Sequence, residues 1–345
     1  MTLKQIAAMA GVSISTVSRI LNSPDNRFAT KEVRDRVWMC AREIGYIPDQ
    51  NARELKLGKR SSRKASPPSI SCILGRTRQL DDDPFFAQMS RAIEQQALDL
   101  GYAIHLSYSL FDIETDALLD QIESSHTGTD GAIILGRFSS DSMNFLEKHY
   151  KNLVYVGRNV IAANCDQVIC DGYEATQIAI MHLIANGHKR IGYIGETLNE
   201  VRYEAYRDTL HKYGLECSET LVSNCPQNGP GGYQGAEELL AKASPIPTAV
   251  FCATDIAAIA ALRRFTEAKI KVPEQLSIIS MDNIELSGYV SPMLTTVGMP
   301  IVEMGNWAVQ LLIDRMNKRH KLPAKVLLPN KLIIRESVAK ISFTS

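Results

Sequence analysis

Gly11-Val12-Ser13-Ile14-Ser15-Thr16-Val17-Ser18-Arg19-Ile20-Leu21-Asn22 reads as a helix that is not built for a protein core. Val17, Ile20 and Leu21 fall at i, i+3 and i+4 and make one apolar stripe. The other faces carry Ser15, Thr16, Ser18, Arg19 and Asn22, which are short hydrogen-bonding groups and one guanidinium fork. Ser13 stands at the N-cap, where a hydroxyl accepts an N–H of the first turn. Gly11 before it allows a tight turn, because glycine adopts positive φ without strain. A shorter helix precedes the turn with Ile6, Ala7 and Ala10 on one face, and Thr2 with Gln5 opens it as a capping box. Helix, glycine turn and a second helix with small polar groups form the helix-turn-helix pattern. Taken alone, the same residues also fit an ordinary helical hairpin with a solvated face.

Working outward, Ser23 to Arg27 is a polar turn, and Thr30 is placed to cap a third helix over 31–44. That helix puts Val33, Val37, Trp38, Ala41 and Ile44 on one face, with Trp38 as the expected core of a small module. Residues 49–59 are competent for about two helical turns, shorter than the roughly 12–15 residues at which an isolated helix becomes marginal. They are expected to be helical only against a partner. Residues 60–69, ending Ser66-Pro67-Pro68-Ser69, have no periodicity and read as a linker. The domains expected are therefore 1–48, a hinge and linker over 49–69, and a body over 70–345.

The chain has 38 Lys and Arg and 38 Asp and Glu, a net charge of zero. Residues 1–64 alone hold 13 basic against 6 acidic groups, a net of +7, and the remainder carries −7. A basic head on an acidic body is the asymmetry of a nucleic-acid reader. In the body, short apolar runs alternate with helical stretches: runs at 70–74, 102–106, 131–135, 153–156, 190–194, 248–252 and 276–281. Helices are expected at 85–100, 114–123, 141–149, 174–185, 201–213, 233–243, 256–268 and 302–317. This alternation argues for parallel sheets with helices on both faces, in two similar lobes, with ligands at the carboxyl ends of the strands.

Seven cysteines are scattered without a C-x-x-C pair and read as buried thiols of a reducing cytosol. No apolar run is long enough to span a bilayer, and the N-terminus enters a polar helix directly, so a cytoplasmic location is expected. The chain lacks G-x-x-x-x-G-K-[ST], H-E-x-x-H and G-x-S-x-G, and its seven histidines do not cluster with carboxylates at metal spacing. No catalysis, cofactor or metal is expected.

TLKQIAAMAGVSISTVSRILN closely resembles the opening T-x-x-D-I-A-x-x-A-G-V-S-x-x-T-V-S-R-V-L-N of the LacI family of bacterial transcription repressors, with Gln5 for Asp and Ile20 for Val. Asn51-Ala52-Arg53-Glu54-Leu55 matches its hinge helix, Asp83-Pro84-Phe85-Phe86 its N-P-F-F, and 187–195 its G-H-K-R-I-G-F-I-G. Residues 250–263 follow its N-D-x-x-A-x-G-A-L-R region, and 291–297 its P-P-L-T-T-V. The resemblance implies an all-α helix-turn-helix domain and hinge helix on a body folded like periplasmic sugar-binding proteins.

It further implies that Ile14, Ser15 and Arg19 read base edges in the major groove, Arg19 through a bidentate pair with guanine. Thr16, Ser18, Asn22, Arg27 and Tyr46 would hold the backbone. In the hinge, Asn51, Ala52, Arg53 and Lys56 would lie on operator DNA, and Leu55 would wedge between base pairs in the minor groove. For a sugar effector the implied residues are Phe85, Phe86, Arg137, Arg202, Thr254, Asp255 and Asp282. Gly157 stands where the family often has Asp, and Thr254 where it often has Asn. Gly136-Arg137-Phe138 and Leu328-Pro329-Asn330-Lys331-Leu332 resemble the galactoside-utilisation repressors, which favours a galactoside. No leucine heptads follow Arg335, so a homodimer is expected. The alternatives are a transport-type sugar-binding protein and a repressor that needs a corepressor.

Overall fold

The computed structural model describes residues 3–22, 29–43, 68–75, 83–109 and 131–341. The chain divides into two compact units, Met1–Ser66 and Pro67–Ser345.

The first unit contains α1 (Leu3–Ala10), α2 (Ile14–Asn22) and α3 (Lys31–Glu43). Gly11 turns the chain with φ of 64°, and Ser13 Oγ accepts the Thr16 N–H at 3.1 Å as the cap of α2. Val17 and Ile20 face inward and pack with Ile6, Ala7, Ala10, Val37, Cys40 and Ala41. The core side chains expected at Leu21, Trp38 and Ile44 lie outside the described residues, as do the hinge helix over 49–59 and the linker before Pro68.

The second unit alternates strands and helices as the apolar runs predicted. Its first lobe opens with β1 (Ser69–Leu74), α4 (Pro84–Asp99), β2 (Ala103–Ser109) and β3 (Gly131–Leu135). It continues with α5 (Ser140–His149), β4 (Leu153–Gly157) and β5 (Asp166–Cys170). The second lobe runs through α6 (Gly172–Ala185), β6 (Ile191–Gly195), α7 (Val201–Lys212), β7 (Val222–Asn224) and α8 (Gly229–Lys242). After these come β8 (Ala249–Cys252), α9 (Asp255–Glu267), β9 (Ser277–Asp282) and β10 (Thr295–Gly298). The chain closes with α10 (Ile301–Met316), β11 (Lys325–Leu328) and β12 (Lys331–Ile333). The helix expected over 114–123 lies outside the described residues.

Two six-stranded sheets result, ordered β11-β5-β4-β3-β1-β2 and β12-β10-β9-β8-β6-β7. Every pairing is parallel except β10 with β12. The chain passes between lobes three times, because α10 packs on α4 and β3–β5 and β11 joins β5, both in the first lobe. The crossings fall between β5 and α6, between β10 and α10, and between β11 and β12. Asn330, on the third crossing, bonds the first: its Nδ2 donates to Asp171 O at 2.8 Å and to Glu174 Oε2 at 2.9 Å, and its Oδ1 accepts from Cys170 Sγ at 3.1 Å.

Strands β5, β7, β10, β11 and β12 fall outside the apolar runs read from the sequence. The carboxylate that opens β5 is buried because it has partners. Arg315 grips Asp166 bidentately at 2.7 and 2.8 Å, Ala324 N–H donates at 2.7 Å, and His320 Nε2 lies at 2.7 Å. Burial pushes this carboxyl up, but these partners outweigh it and hold it below the ordinary range. The cluster anchors the C-terminal end of α10 to the first sheet.

Candidate functional site

On α2 the residues alternate as a surface reader requires. Val17 and Ile20 are buried, Thr16 and Ser18 are half-buried, and Ile14, Ser15 and Arg19 are exposed. Ile14 shows 47% of its surface, an apolar group presented to solvent at the helix start beside two hydroxyls. The N-terminal residues of such a helix are the ones that reach base edges in a major groove. Asn22 closes α2, and its side chain lies outside the described residues. Arg27, Tyr46, Asn51, Ala52, Arg53, Leu55 and Lys56 also lie outside them.

In the second unit a cavity of about 110 Å³ lies between the lobes. The first lobe supplies Phe85, Phe86, Met89, Phe138 and the residues just past β3 and β4. The second supplies Glu200 and Arg202. The aromatic wall follows from local sequence. Asp83 caps α4 by accepting the Phe85 N–H at 2.9 Å, and Pro84 occupies the first turn, where its missing N–H costs nothing. Phe85 and Phe86 then meet edge to face, 5.3 Å between centroids, both buried. Arg158 lies over the Phe85 ring at 4.6 Å, a cation–π contact.

Among the described residues three ion pairs join the lobes beside this cavity, one of them Arg137 Nη1 with Glu196 Oε2 at 3.7 Å. Arg137 Nη2, just past β3, donates to Asn199 O at 3.0 Å and Glu200 Oε2 at 3.1 Å. Arg158, just past β4, pairs with Asp282 at the end of β9. Burial pushes the Asp282 carboxyl up to about 7, against the pull of Arg158.

Arg202 is buried, with its charge met inside the protein. Nε donates to Glu200 Oε1 at 2.7 Å, Nη2 to Oε2 at 2.9 Å and also to Gln227 Oε1, and Nη1 to Ala253 O at 2.7 Å. Glu200 is the N-cap of α7, so its carboxylate folds back onto the guanidinium two residues ahead. Burial lowers this guanidinium's pKa, and Glu200 more than restores it. One carboxylate thus links Arg202 of its own lobe to Arg137 of the other.

Phe85, Phe86, Arg137 and Arg202 therefore come together at the cavity, whereas Thr254, Asp255 and Asp282, the other residues named from sequence, do not line it. Thr254 caps α9, accepting from Ala257 N at 3.3 Å and donating to Gln227 O at 3.2 Å. Asp255 accepts from Ser280 Oγ at 2.5 Å, Thr296 Oγ1 at 2.7 Å and Ile284 N at 2.9 Å, and so ties the ends of β9 and β10. Asp282 reaches the cavity only through Arg158.

Sequence reasoning passed over Arg158, Asn159 and Glu200. Arg158 Nε and Asn159 Oδ1 are buried without a hydrogen-bond partner among the described residues. Their position just past β4, at a carboxyl end where ligands of such sheets bind, was the available signal. Gly157 also gains a reason, since a Cβ there would stand 2.0 Å from the Tyr155 hydroxyl oxygen.

Among the described residues no helix is long and apolar enough to cross a membrane, and no group of His, Cys, Asp and Glu is arranged to hold a metal. All seven cysteines are free, and only Cys217 is exposed.

A helix-turn-helix head with a two-lobed parallel-sheet body defines a bacterial DNA-binding regulator with a periplasmic-binding-protein-like domain. Residues 2–49 match the model of bacterial regulatory proteins of the lacI family, and residues 180–338 match a periplasmic binding protein-like domain. The repressor CytR of Escherichia coli K12 is 31% identical over 342 residues, 97% of this chain and 96% of that protein. The repressor PurR of Mannheimia succiniciproducens is 29% identical over 348 residues, 99% of each. Among solved structures, the complex of the transcriptional regulator CelR with cellobiose aligns at a TM-score of 0.71 and 28% identity, over 98% of this chain and 99% of that one. A LacI family regulator from Enterococcus faecium with bound ribose aligns at 0.68 and 28% identity, over 79% of this chain and 100% of that one. The chain belongs to the LacI family of bacterial transcriptional regulators.

Proposed function

We propose that the protein is a homodimeric, cytoplasmic repressor of carbohydrate-utilisation genes whose hold on operator DNA is set by a small sugar between the lobes. Ile14, Ser15 and Arg19 read base edges, Thr16, Ser18, Asn22, Arg27 and Tyr46 hold the backbone, and Asn51, Ala52, Arg53 and Lys56 flank the Leu55 wedge. The observation that carries the effector reading is the buried, unpartnered pair Arg158 Nε and Asn159 Oδ1 in an aromatic cleft. An orphaned donor or acceptor costs about 1–3 kcal/mol. A sugar hydroxyl both donates and accepts, so one ligand group type satisfies both atoms, while Phe85 or Phe86 stacks on the sugar's apolar face. The relatives' bound cellobiose and ribose support the same ligand class. A galactoside is the first sugar to try, on the Gly136-Arg137-Phe138 and Leu328–Leu332 likenesses.

Closure on a ligand would change how the lobes of the dimer meet and hence whether the two hinges pair, which is the differential contact that allostery requires. The test is binding of the purified protein to its own upstream DNA, with and without galactosides and other sugars. Tight, salt-sensitive binding released by one sugar supports an inducible repressor. Binding seen only with a ligand makes it a corepressor system. A folded protein that binds sugar but no DNA points to a transport-type sugar-binding protein.

A further inference from the structure

Beside the interlobe cavity lies a second and larger one, about 360 Å³, between the first two turns of α5 and the loop after β4. The two share Phe138, Tyr155 and Ile161 among their lining residues, so they adjoin. The roof is fixed by hydrogen bonds. Gln167, buried in β5, accepts from Ile161 N at 3.0 Å and donates to Ile161 O at 2.9 Å, and Glu147 of α5 accepts from Asn164 N at 3.2 Å. A cavity held in this way needs little ordering when a ligand arrives, which lowers the cost of binding.

The chemistry of the wall is specific. Its polar groups include the Ser140 hydroxyl, the Asn144 amide and the Glu147 carboxylate, and no Lys or Arg lines it among the described residues. A phosphate or carboxylate would meet the like charge of Glu147 there. A neutral polyhydroxyl unit would find donors and acceptors, with the aromatic rings of Phe138 and Tyr155 at the boundary. We propose that this cavity is a second subsite of the same effector, taking the outer unit of a neutral disaccharide or aryl glycoside whose inner unit lies between the lobes. The proposal rests on the sugar reading of the interlobe cavity and adds the length of the ligand to it.

Calorimetry with galactose, lactose, 4-nitrophenyl β-galactoside and cellobiose tests it on the full chain. Asn144→Leu removes the amide, and Ala162→Trp fills the cavity from an exposed position, with melting temperature as the check on folding. Wild type should bind a two-unit ligand at least tenfold tighter than galactose. Both variants should remove that advantage and leave galactose affinity unchanged. Equal affinity of one-unit and two-unit ligands in wild type, or variants that weaken both alike or neither, would overturn the second subsite alone. A wild type that holds its operator but binds none of the four sugars would overturn the sugar reading, and the subsite with it.

Discussion

Arg202, expected from sequence among the effector residues, lines the cavity with its charge met inside the protein. Its position in the cleft was legible from the family motif. Its partner was not, because Glu200 is only two residues earlier and meets the guanidinium by standing outside the helix as its cap. Removing one member of a buried ion pair leaves an uncompensated charge and costs about 3–5 kcal/mol. Arg202→Ala and Glu200→Ala should each lower the unfolding free energy from urea denaturation by that amount, and a loss below about 1 kcal/mol would contradict the buried pair. Arg158 is likewise held in a buried pair, with Asp282, so Arg158→Lys, which keeps the charge and removes the unpartnered Nε, is the cleaner probe of an effector contact there. Asp282 and Asp255 carry a pH dependence. Burial raises them to about 7 and about 6, so between about pH 4 and 7 the folded chain binds more protons than the unfolded one. Stability should fall as pH rises through that window, and Asp282→Asn should flatten the fall in denaturation at pH 5 and 7.5. An unchanged slope would mean that Asp282 is ionised throughout.

Among the elements, α2 was the most legible, because cap, turn and apolar period all pointed one way. Ser13→Ala should cost about 1 kcal/mol of stability in the first unit, the usual worth of a cap, and Ile6→Ala about 2–5 kcal/mol. Thermal melts of the full chain, followed by operator binding, check both, with the larger effect at Ile6. The sheet strands were legible only where apolar runs stood alone. Thr295-Thr296-Val297-Gly298 is buried in β10, yet it reads as polar because its hydroxyls are spent inside: Thr295 Oγ1 accepts from Arg335 N at 2.9 Å and Thr296 Oγ1 donates to Asp255. The start of α8 was hidden for a different reason. Gly229-Pro230-Gly231-Gly232 looks like a turn, but a Cβ at Gly232 would stand 2.2 Å from Ala257 O, so glycine there lets α8 pack closely on α9. Tertiary contact, which no local pattern records, decides both cases.

At the scale of the second unit, three crossings connect the two lobes, and the pairs Arg137–Glu200 and Arg158–Asp282 bridge them over the cavity. Arg137 is 42% exposed, so its pair contributes at most about 1 kcal/mol to stability. Arg137→Ala should leave the melting temperature within a few degrees while shifting the effector concentration needed for half release from the operator. A shift in melting without a shift in response would place Arg137 outside the coupling. At the other end of the chain, if Leu55 is the proposed wedge, Leu55→Ala should weaken specific binding more than non-specific binding, since it would remove DNA bending and leave phosphate contacts in place. Equal loss on operator and random DNA would remove the wedge. The central claim is that one small ligand between the lobes and one operator compete for the state of a single molecule. Linkage requires their effects on each other to be equal. The measurement is the sugar affinity of the full chain by calorimetry, with and without saturating operator, beside the operator affinity with and without saturating sugar. For a dimer with two sugar sites, the account predicts that operator affinity changes by the product of the factors by which operator changes sugar affinity at the two sites. A sugar that binds equally well to free and operator-bound protein would contradict it.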